Sequence, residues 1–213
     1  MSVVSPGVPS PRRVTVTPRG GLRIAASAPS AVVAAHPLVR ALYPVVAQAL
    51  EASADVLTVR DDLAGDVAVA FTALEVTVHL LGPGGGRSVP FAGLPAEPGE
   101  SVTSVEIPEV LRRLDSGYLK VPGAVGPVAV AVVLRVRDGV VEEARVAVGG
   151  ADGVPRRLSA VERRLLGARP SDALWAEAAA RVVDEVPEQS GERAELLRRT
   201  VERQLRAVGG AGR

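Results

Sequence analysis

Residues 128–148 read VAVAVVLRVRDGVVEEARVAV, and this stretch decides the fold of the second half of the chain. The run from Val128 to Arg137 is dense in β-branched residues, which suit a pleated, largely buried backbone. Asp138-Gly139 is the strongest hairpin signal in the sequence, because a two-residue turn asks for positive φ at both central positions. Val140 to Val148 then returns as a second strand. Strict alternation puts Glu142, Ala144, Val146 and Val148 on one face and Val141, Glu143, Arg145 and Ala147 on the other. Three helical segments follow, Leu158–Leu166, Asp172–Val186 and Glu192–Val208, the last ended by Gly209-Gly210. Each apolar stripe needs cover, so Val130, Val132, Leu134, Val146 and Val148 are expected to pack against Leu165, Leu174, Val182 and Leu197. A hairpin followed by three helices implies a two-layer α+β domain.

Upstream, the signals are shorter. Val14–Thr17 alternates, Pro18–Gly21 turns, and Leu22–Ile24 alternates again, which predicts a hairpin. Pro29 opens a short helix that Pro37 ends. Leu38–Ala54 has helical spacing with Pro44 as a kink point. Asp66 reads as the N-cap of a helix over Val67–Leu74. Strands are expected at Glu75–Leu80, Arg87–Val89 and Ser101–Ile107, the first two joined by the Gly82–Gly86 turn. The chain divides on this reading into a disordered Pro/Ser-rich leader over 1–13, a mixed α/β lobe over 14–108, a connector over 109–127 with a helical piece at Val110–Leu114, and a C-terminal α+β domain over 128–210.

Composition narrows the function classes. Of 213 residues, 47% are hydrophobic, enough for a sizeable core, while only 2% are aromatic. The net charge is +1 with both signs interleaved, so no clustered basic face argues for nucleic acid. There is no cysteine, which excludes disulfides, thiolate nucleophiles and thiolate-held metal clusters from this chain. No apolar run has the length of a membrane span and the prolines of the leader break any signal core, so the expected location is the cytoplasm. The Ala/Val/Gly/Pro bias fits a GC-rich bacterial source.

Several stretches resemble the FAD-binding medium subunit of the molybdenum hydroxylases, the family of carbon monoxide and xanthine dehydrogenases. They are Leu22–Ala26, His36-Pro37-Leu38-Val39-Arg40 with Tyr43-Pro44, Leu81–Gly85 with Arg87–Pro90, Pro98-Gly99-Glu100 with Val105–Pro108, and the region from Val128 onward. The resemblance implies the second lobe of a flavin-binding domain, a mixed sheet with helices, followed by that subunit's C-terminal domain. Two glycine-rich loops typical of the family do not appear. Only the leader precedes the matching region, and Arg60 runs through Asp61 straight into Asp62-Leu63-Ala64-Gly65-Asp66, where relatives carry a glycine loop. Those loops supply backbone amides to the flavin pyrophosphate, so their absence predicts a chain with no cofactor.

On that reading the former flavin cleft holds an apolar small molecule, and the protein is a flavin-less descendant catalysing a cofactor-free cyclisation, rearrangement or isomerisation in a biosynthetic pathway by positioning. The alternative is an accessory or electron-transfer FAD subunit that docks to the other subunits of a molybdenum hydroxylase. A small-molecule ligand is the expected partner, with no nucleic acid and no membrane; a homo-oligomer, or molybdenum-hydroxylase subunits under the alternative, completes the set. The polar candidates for the site are His79, Asp62, Asp66, Tyr118 and Lys120. Asp62 and Asp66 keep the spacing of the family's aspartate pair, against the plainer reading of a solvated loop and a helix cap. His79 lies in a strand with apolar neighbours, where a core histidine is the plainer reading. Tyr118 and Lys120, the sole lysine, lie in the Gly/Pro-rich connector. The cleft is expected between the two halves, lined by the Asp55–Asp66 segment, the His79 strand and Tyr118–Gly126. No metal-ligand spacing occurs around either histidine.

Overall fold

The computed structural model describes residues 13–53, 58–93, 98–109, 114–124, 126–150, 153–186 and 191–210, with the side chains of Asp61, Gly93 and Gly153 left aside. The leader over 1–12, most of the helical piece expected at Val110–Leu114 and part of the Asp55–Asp66 segment lie outside the described residues.

The first half opens with strands β1 (Val14–Val16) and β2 (Leu22–Ala25), then three short helices, α1 (Ser30–Ala34), α2 (Pro37–Leu42) and α3 (Pro44–Ala52). Two prolines set the helix boundaries. Pro37 and Pro44 each sit in the first turn of a helix, so the expected kinked helix over Leu38–Ala54 is two helices broken at Tyr43. A proline ring excludes the preceding residue from helical geometry and tolerates the first turn, which starts a new helix where the periodicity suggests one continuous one. A 3-10 turn over Val59–Asp62 leads into α4 (Asp66–Leu74), followed by β3 (Thr77–Gly82), β4 (Gly85–Pro90) and β5 (Ser101–Ile107). These strands form an antiparallel sheet in the order β1-β2-β5-β3-β4. Its inner face carries Leu22, Ile24, Val78, Leu80, Val105 and Ile107, packed with α3 and α4 in one core.

The second half begins earlier than the sequence suggests. Asp115–Val121, read as connector, is strand β6. It pairs with β7 (Val128–Arg137), which pairs with β8 (Val140–Gly150), which pairs with β9 (Gly153–Arg157), giving a four-stranded antiparallel sheet rather than a lone hairpin. Helices α5 (Ser159–Leu165), α6 (Asp172–Ala180) and α7 (Gly191–Gly210) follow. The turn between β7 and β8 has φ of 52° at Asp138 and 74° at Gly139, the doubly left-handed turn that Asp-Gly favours. One slip in register, between Arg135 and Val136, lets Val136 face Val141 while Arg135 faces Glu143. Glu142 is the bulged residue. It is exposed, whereas Val141 joins the same buried face as Ala144, Val146 and Val148, against the strict alternation expected from the sequence.

This sheet is buried on both faces. Val128, Val130, Val132 and Leu134 pack with Leu158, Leu165, Leu174, Val182, Leu197 and Val201 of the helical layer. All nine side chains expected to form this core belong to it. Trp175, fully buried, is seated against Gly209, where a Cβ would come within 2.4 Å of the indole. Gly209 is therefore a packing residue inside α7, and the helix runs through it instead of ending there. On the opposite face Ala129, Ala131, Val133 and Ala147 belong to the first core. Small side chains there let α3 and α4 lie close to the strands, and at Gly149 a Cβ would sit 2.6 Å from Val69 Cγ2. The layers run from first sheet to α3 and α4, to second sheet, to α5–α7, and the seam between the halves is the α3–α4 face of β6–β8.

The edge of β6 is closed by side chains. The Tyr118 backbone N–H donates to Gln48 Oε1 of α3 at 2.7 Å, and a Cβ at Gly117 would come within 2.5 Å of Gln204 Nε2 of α7.

Leu165 is fully buried beneath the second sheet. Leu165→Ala is expected to cost about 2–5 kcal/mol in urea unfolding, through lost transfer energy and the cavity left behind. Gly149→Ala is expected to cost about 1–3 kcal/mol by overpacking the seam. A Gly149→Ala protein as stable as the parent would show that α4 does not press on β8 as described.

Candidate functional site

The seam carries a cluster of buried polar side chains. Asp66 opens α4 and is 9% exposed; Asp62, four residues earlier at the end of the 3-10 turn, is 1% exposed. The helix cap is the reverse of the expectation. Gly65 is the N-cap residue and caps with no side chain, while Asp62 Oδ2 accepts the Val67 backbone N–H at 3.1 Å. Gly65 makes this possible, because a Cβ there would stand 2.1 Å from Asp62 Oδ1. With its capping duty taken over, the Asp66 carboxylate turns to side chains from two other elements. Tyr118 Oη donates to Asp66 Oδ1 at 2.5 Å, and Lys120 Nζ donates to Asp66 Oδ2 at 2.8 Å. Ser53 Oγ, just past α3, lies 3.0 Å from Asp66 Oδ2 and also hydrogen-bonds the Asp62 carboxyl.

Alternation along β6 explains why Tyr118 and Lys120 arrive together: residues two apart on a strand share a face. That face lies over the start of α4. The Lys120 side chain is 38% exposed, so the cluster reaches solvent through its ammonium while the carboxylates stay inside.

Burial is the dominant influence on the titrating groups. It raises the Asp62 carboxyl above the ordinary aspartate range, against the lowering effect of the hydrogen bonds from Ser53 and Val67 and with the neighbouring Asp66 charge adding to the rise. Burial also pushes the Tyr118 phenol far up, reinforced by its hydrogen bond to Asp66 and by both aspartate charges. Tyr118 is thus a hydrogen-bond donor at any physiological pH.

Four of the five residues singled out in the sequence meet here: Asp62, Asp66, Tyr118 and Lys120. His79 does not. It points to the outer face of the first sheet, with Nδ1 2.7 Å from Ser88 Oγ and Nε2 3.3 Å from Glu106 Oε2. Glu106 is also gripped by Arg23 at 2.7 Å, and that hydrogen bond lowers its carboxyl below the usual range. The His79 strand turns Val78 and Leu80 inward, so one residue of register separates the histidine from the interior. Ser53 and Gln48 have no motif to mark them. Ser53 also forms one wall of a half-open pocket of about 270 Å³, together with Ser30, Ala31, Ala34, Ala35, Arg40, Leu50 and Glu51.

Comparisons with known proteins bear on the fold and family of the chain. Residues 122–205 match the family model described as the CO dehydrogenase flavoprotein C-terminal domain. A curated relative, the glyceraldehyde dehydrogenase medium chain of Sulfolobus acidocaldarius, is 32% identical over 143 residues, covering 62% of this chain and 50% of the relative. The chain therefore spans about half the length of that relative. Among solved structures, carbon monoxide dehydrogenase from Hydrogenophaga pseudoflava superposes with a TM-score of 0.82 at 22% identity, over 93% of this chain and 78% of that one. Quinoline 2-oxidoreductase from Pseudomonas putida gives 0.79 at 18% identity over 93% and 78%. Carbon monoxide dehydrogenase from Oligotropha carboxidovorans gives 0.77 at 19% identity over 92% and 76%. These likenesses show the fold.

The match to a flavoprotein domain overturns the expectation of a chain with no cofactor. That expectation rested chiefly on the glycine loops. The chain is a relative of the carbon monoxide dehydrogenase flavoprotein family, with the C-terminal domain of that flavoprotein over residues 122–205 and the family's fold in the lobe before it.

Proposed function

We propose that this chain is a flavin-holding, electron-transfer subunit of a molybdenum hydroxylase assembly, with the seam cluster as its cofactor-facing surface. The single observation that carries the reading is the convergence of Tyr118 and Lys120 on Asp66 at the junction of two lobes whose fold is that of the flavoprotein relatives. Domain junctions are favoured places for cofactor sites. The medium-chain relative supports a place among several subunits, and the flavoprotein match favours this reading over the cofactor-free cyclisation or isomerisation that the missing loops suggest.

The donor chemistry fits the polar edge of a flavin ring. Lys120 has three N–H donors, of which one goes to Asp66 Oδ2, so the others can serve a bound group. Tyr118 is held by Asp66 and Gln48, one through its hydroxyl and one through its backbone, which fixes β6 at this point. Lys120 would meet the ring through its remaining donors, and Asp66, held by Tyr118, would orient it. Bound there, a flavin supplies one- and two-electron redox chemistry, taking electrons from a partner and passing them to an outside acceptor. The chain's own residues would bind, orient and balance charge: the Lys120 ammonium would attract negative charge on a bound group through Coulomb interaction in a partly desolvated site.

The test is spectroscopic. The protein is to be purified with its neighbouring gene products, then analysed by visible absorbance and by mass spectrometry of the denatured supernatant. Flavin absorbance that survives gel filtration, together with released FAD, is the expected result. Lys120→Ala should lower flavin retention while leaving the circular dichroism unchanged. A colourless preparation with no releasable flavin, whether alone or with the other subunits, would overturn the reading.

A further inference from the structure

The seam holds one more carboxylate than its charge partners account for. Asp62 and Asp66 are both buried and share a single serine hydroxyl between them, while one ammonium, Lys120, is hydrogen-bonded to the pair and only to Asp66. Among the described residues, the titratable groups coupled to Asp62 are Asp66 on α4 and Tyr118 on β6, with Lys120 reaching the pair through Asp66 and Arg60 lying in the same turn. The Arg60 guanidinium is engaged elsewhere, donating to the Val102 carbonyl at 2.8 Å. Two ionised carboxylates facing one ammonium in a desolvated pocket repel each other, and the pair relieves that repulsion by keeping a proton. Asp66 accepts from two donors, the Tyr118 hydroxyl and the Lys120 ammonium. Asp62, the more deeply buried of the two, has only neutral partners, the Val67 and Asp66 backbone amides and the serine, so the proton settles there.

We infer that Asp62 is a buried proton store, exchanging its proton with Asp66 through the Ser53 hydroxyl. In the resting arrangement Asp62 donates to Ser53 Oγ, and Ser53 donates to Asp66 Oδ2. When the Asp66–Lys120 face must supply a proton, the Ser53 hydrogen crosses to Asp66 and the Asp62 hydrogen replaces it. The Asp62 O–H bond breaks as one forms at Ser53 Oγ, the Ser53 O–H bond breaks as one forms at Asp66 Oδ2, and Asp62 is left ionised. Recharging comes from water in the pocket walled by Ser53, Ser30, Arg40 and Glu51, whose lining does not include Lys120. The burial that lifts the Asp62 carboxyl is the energetic side of the same arrangement. Asp62 acts through Ser53 and Asp66 and touches no bound group, so it is a positioning residue for protons. The store's use in flavin reduction rests on the flavin-subunit reading; its existence does not.

The linkage sign is fixed by the direction of the shift. A carboxyl raised in the folded state stabilises the fold fully below the ordinary aspartate value, and that contribution is lost as pH rises through the raised value. Asp62→Asn mimics the protonated acid and keeps an acceptor for Val67 and a donor for Ser53. Its stability relative to the parent should therefore increase as pH rises across this window, whereas a merely structural carboxylate would lose stability on the same substitution at neutral pH.

The experiment uses the full chain, with infrared difference spectroscopy and carbon-13 NMR of labelled aspartates. The expected result is one protonated carboxylic acid at pH 7, absent from Asp62→Asn and present in Asp66→Asn. Ser53→Ala should retain the signal and slow its exchange with deuterium at least several-fold. If the variants fold poorly, the NMR titration of the parent alone decides, since one aspartate must titrate well above the others. A parent with every aspartate ionised at pH 7, or a protonated signal that survives in Asp62→Asn, would overturn the inference. A colourless protein with this signal intact would sink the flavin reading and leave the store standing.

Discussion

Everything distinctive in this molecule depends on the Asp66 carboxylate lying at the seam between two lobes. Three side chains from two other elements converge on it: Ser53 after α3, and Tyr118 and Lys120 from β6. A buried carboxylate without such partners would be costly, and a tyrosine hydroxyl buried beside it without an acceptor would be nearly so. The two needs answer each other across the junction, so the lobes are registered by polar contacts that tolerate little displacement. Apolar packing of α4 on Ala129, Ala131 and Ala147 supplies the bulk of the adhesion, and the carboxylate fixes its alignment.

Asp62 makes that role available. A helix start normally consumes the nearest side-chain acceptor. Here the aspartate four residues earlier reaches forward to Val67, across a glycine that leaves room for it, and Asp66 is released from capping. The division of labour converts a common local motif into a long-range tether.

The legible and illegible parts of the fold differ in the range of the forces involved. The β7–β8 hairpin could be read because Asp138-Gly139 carries its own backbone preference and because β-branched residues alternate around it. The helical core under the second sheet was equally plain, since the nine side chains expected there follow from two periodicities. Strand β6 escaped notice because Asp-Ser-Gly-Tyr-Leu-Lys-Val has weak alternation and a glycine, and is held in place by Gln48 from α3. The bulge at Glu142 depends on fit against a helical layer distant in sequence, which alternation cannot show. At the site, residue types were recognised through a resemblance, but the burial of the aspartates was not, because Asp66 meets partners 52 and 54 residues away. His79 was misplaced by one position of strand register, the smallest unit that exchanges interior for exterior.

The glutamine clasp on β6 has a consequence for how this chain meets others. A strand edge with free N–H and C=O groups invites a foreign strand to add to the sheet. Here the Tyr118 amide is already satisfied by Gln48 Oε1, and Gln204 crowds the neighbouring Gly117. The sheet is therefore sealed on the side nearest the seam, as a zip is sealed by its end stop. A strand that approached this flank would meet amide side chains at Gly117 and Tyr118 instead of open backbone, which removes the middle of β6 as a template for strand addition.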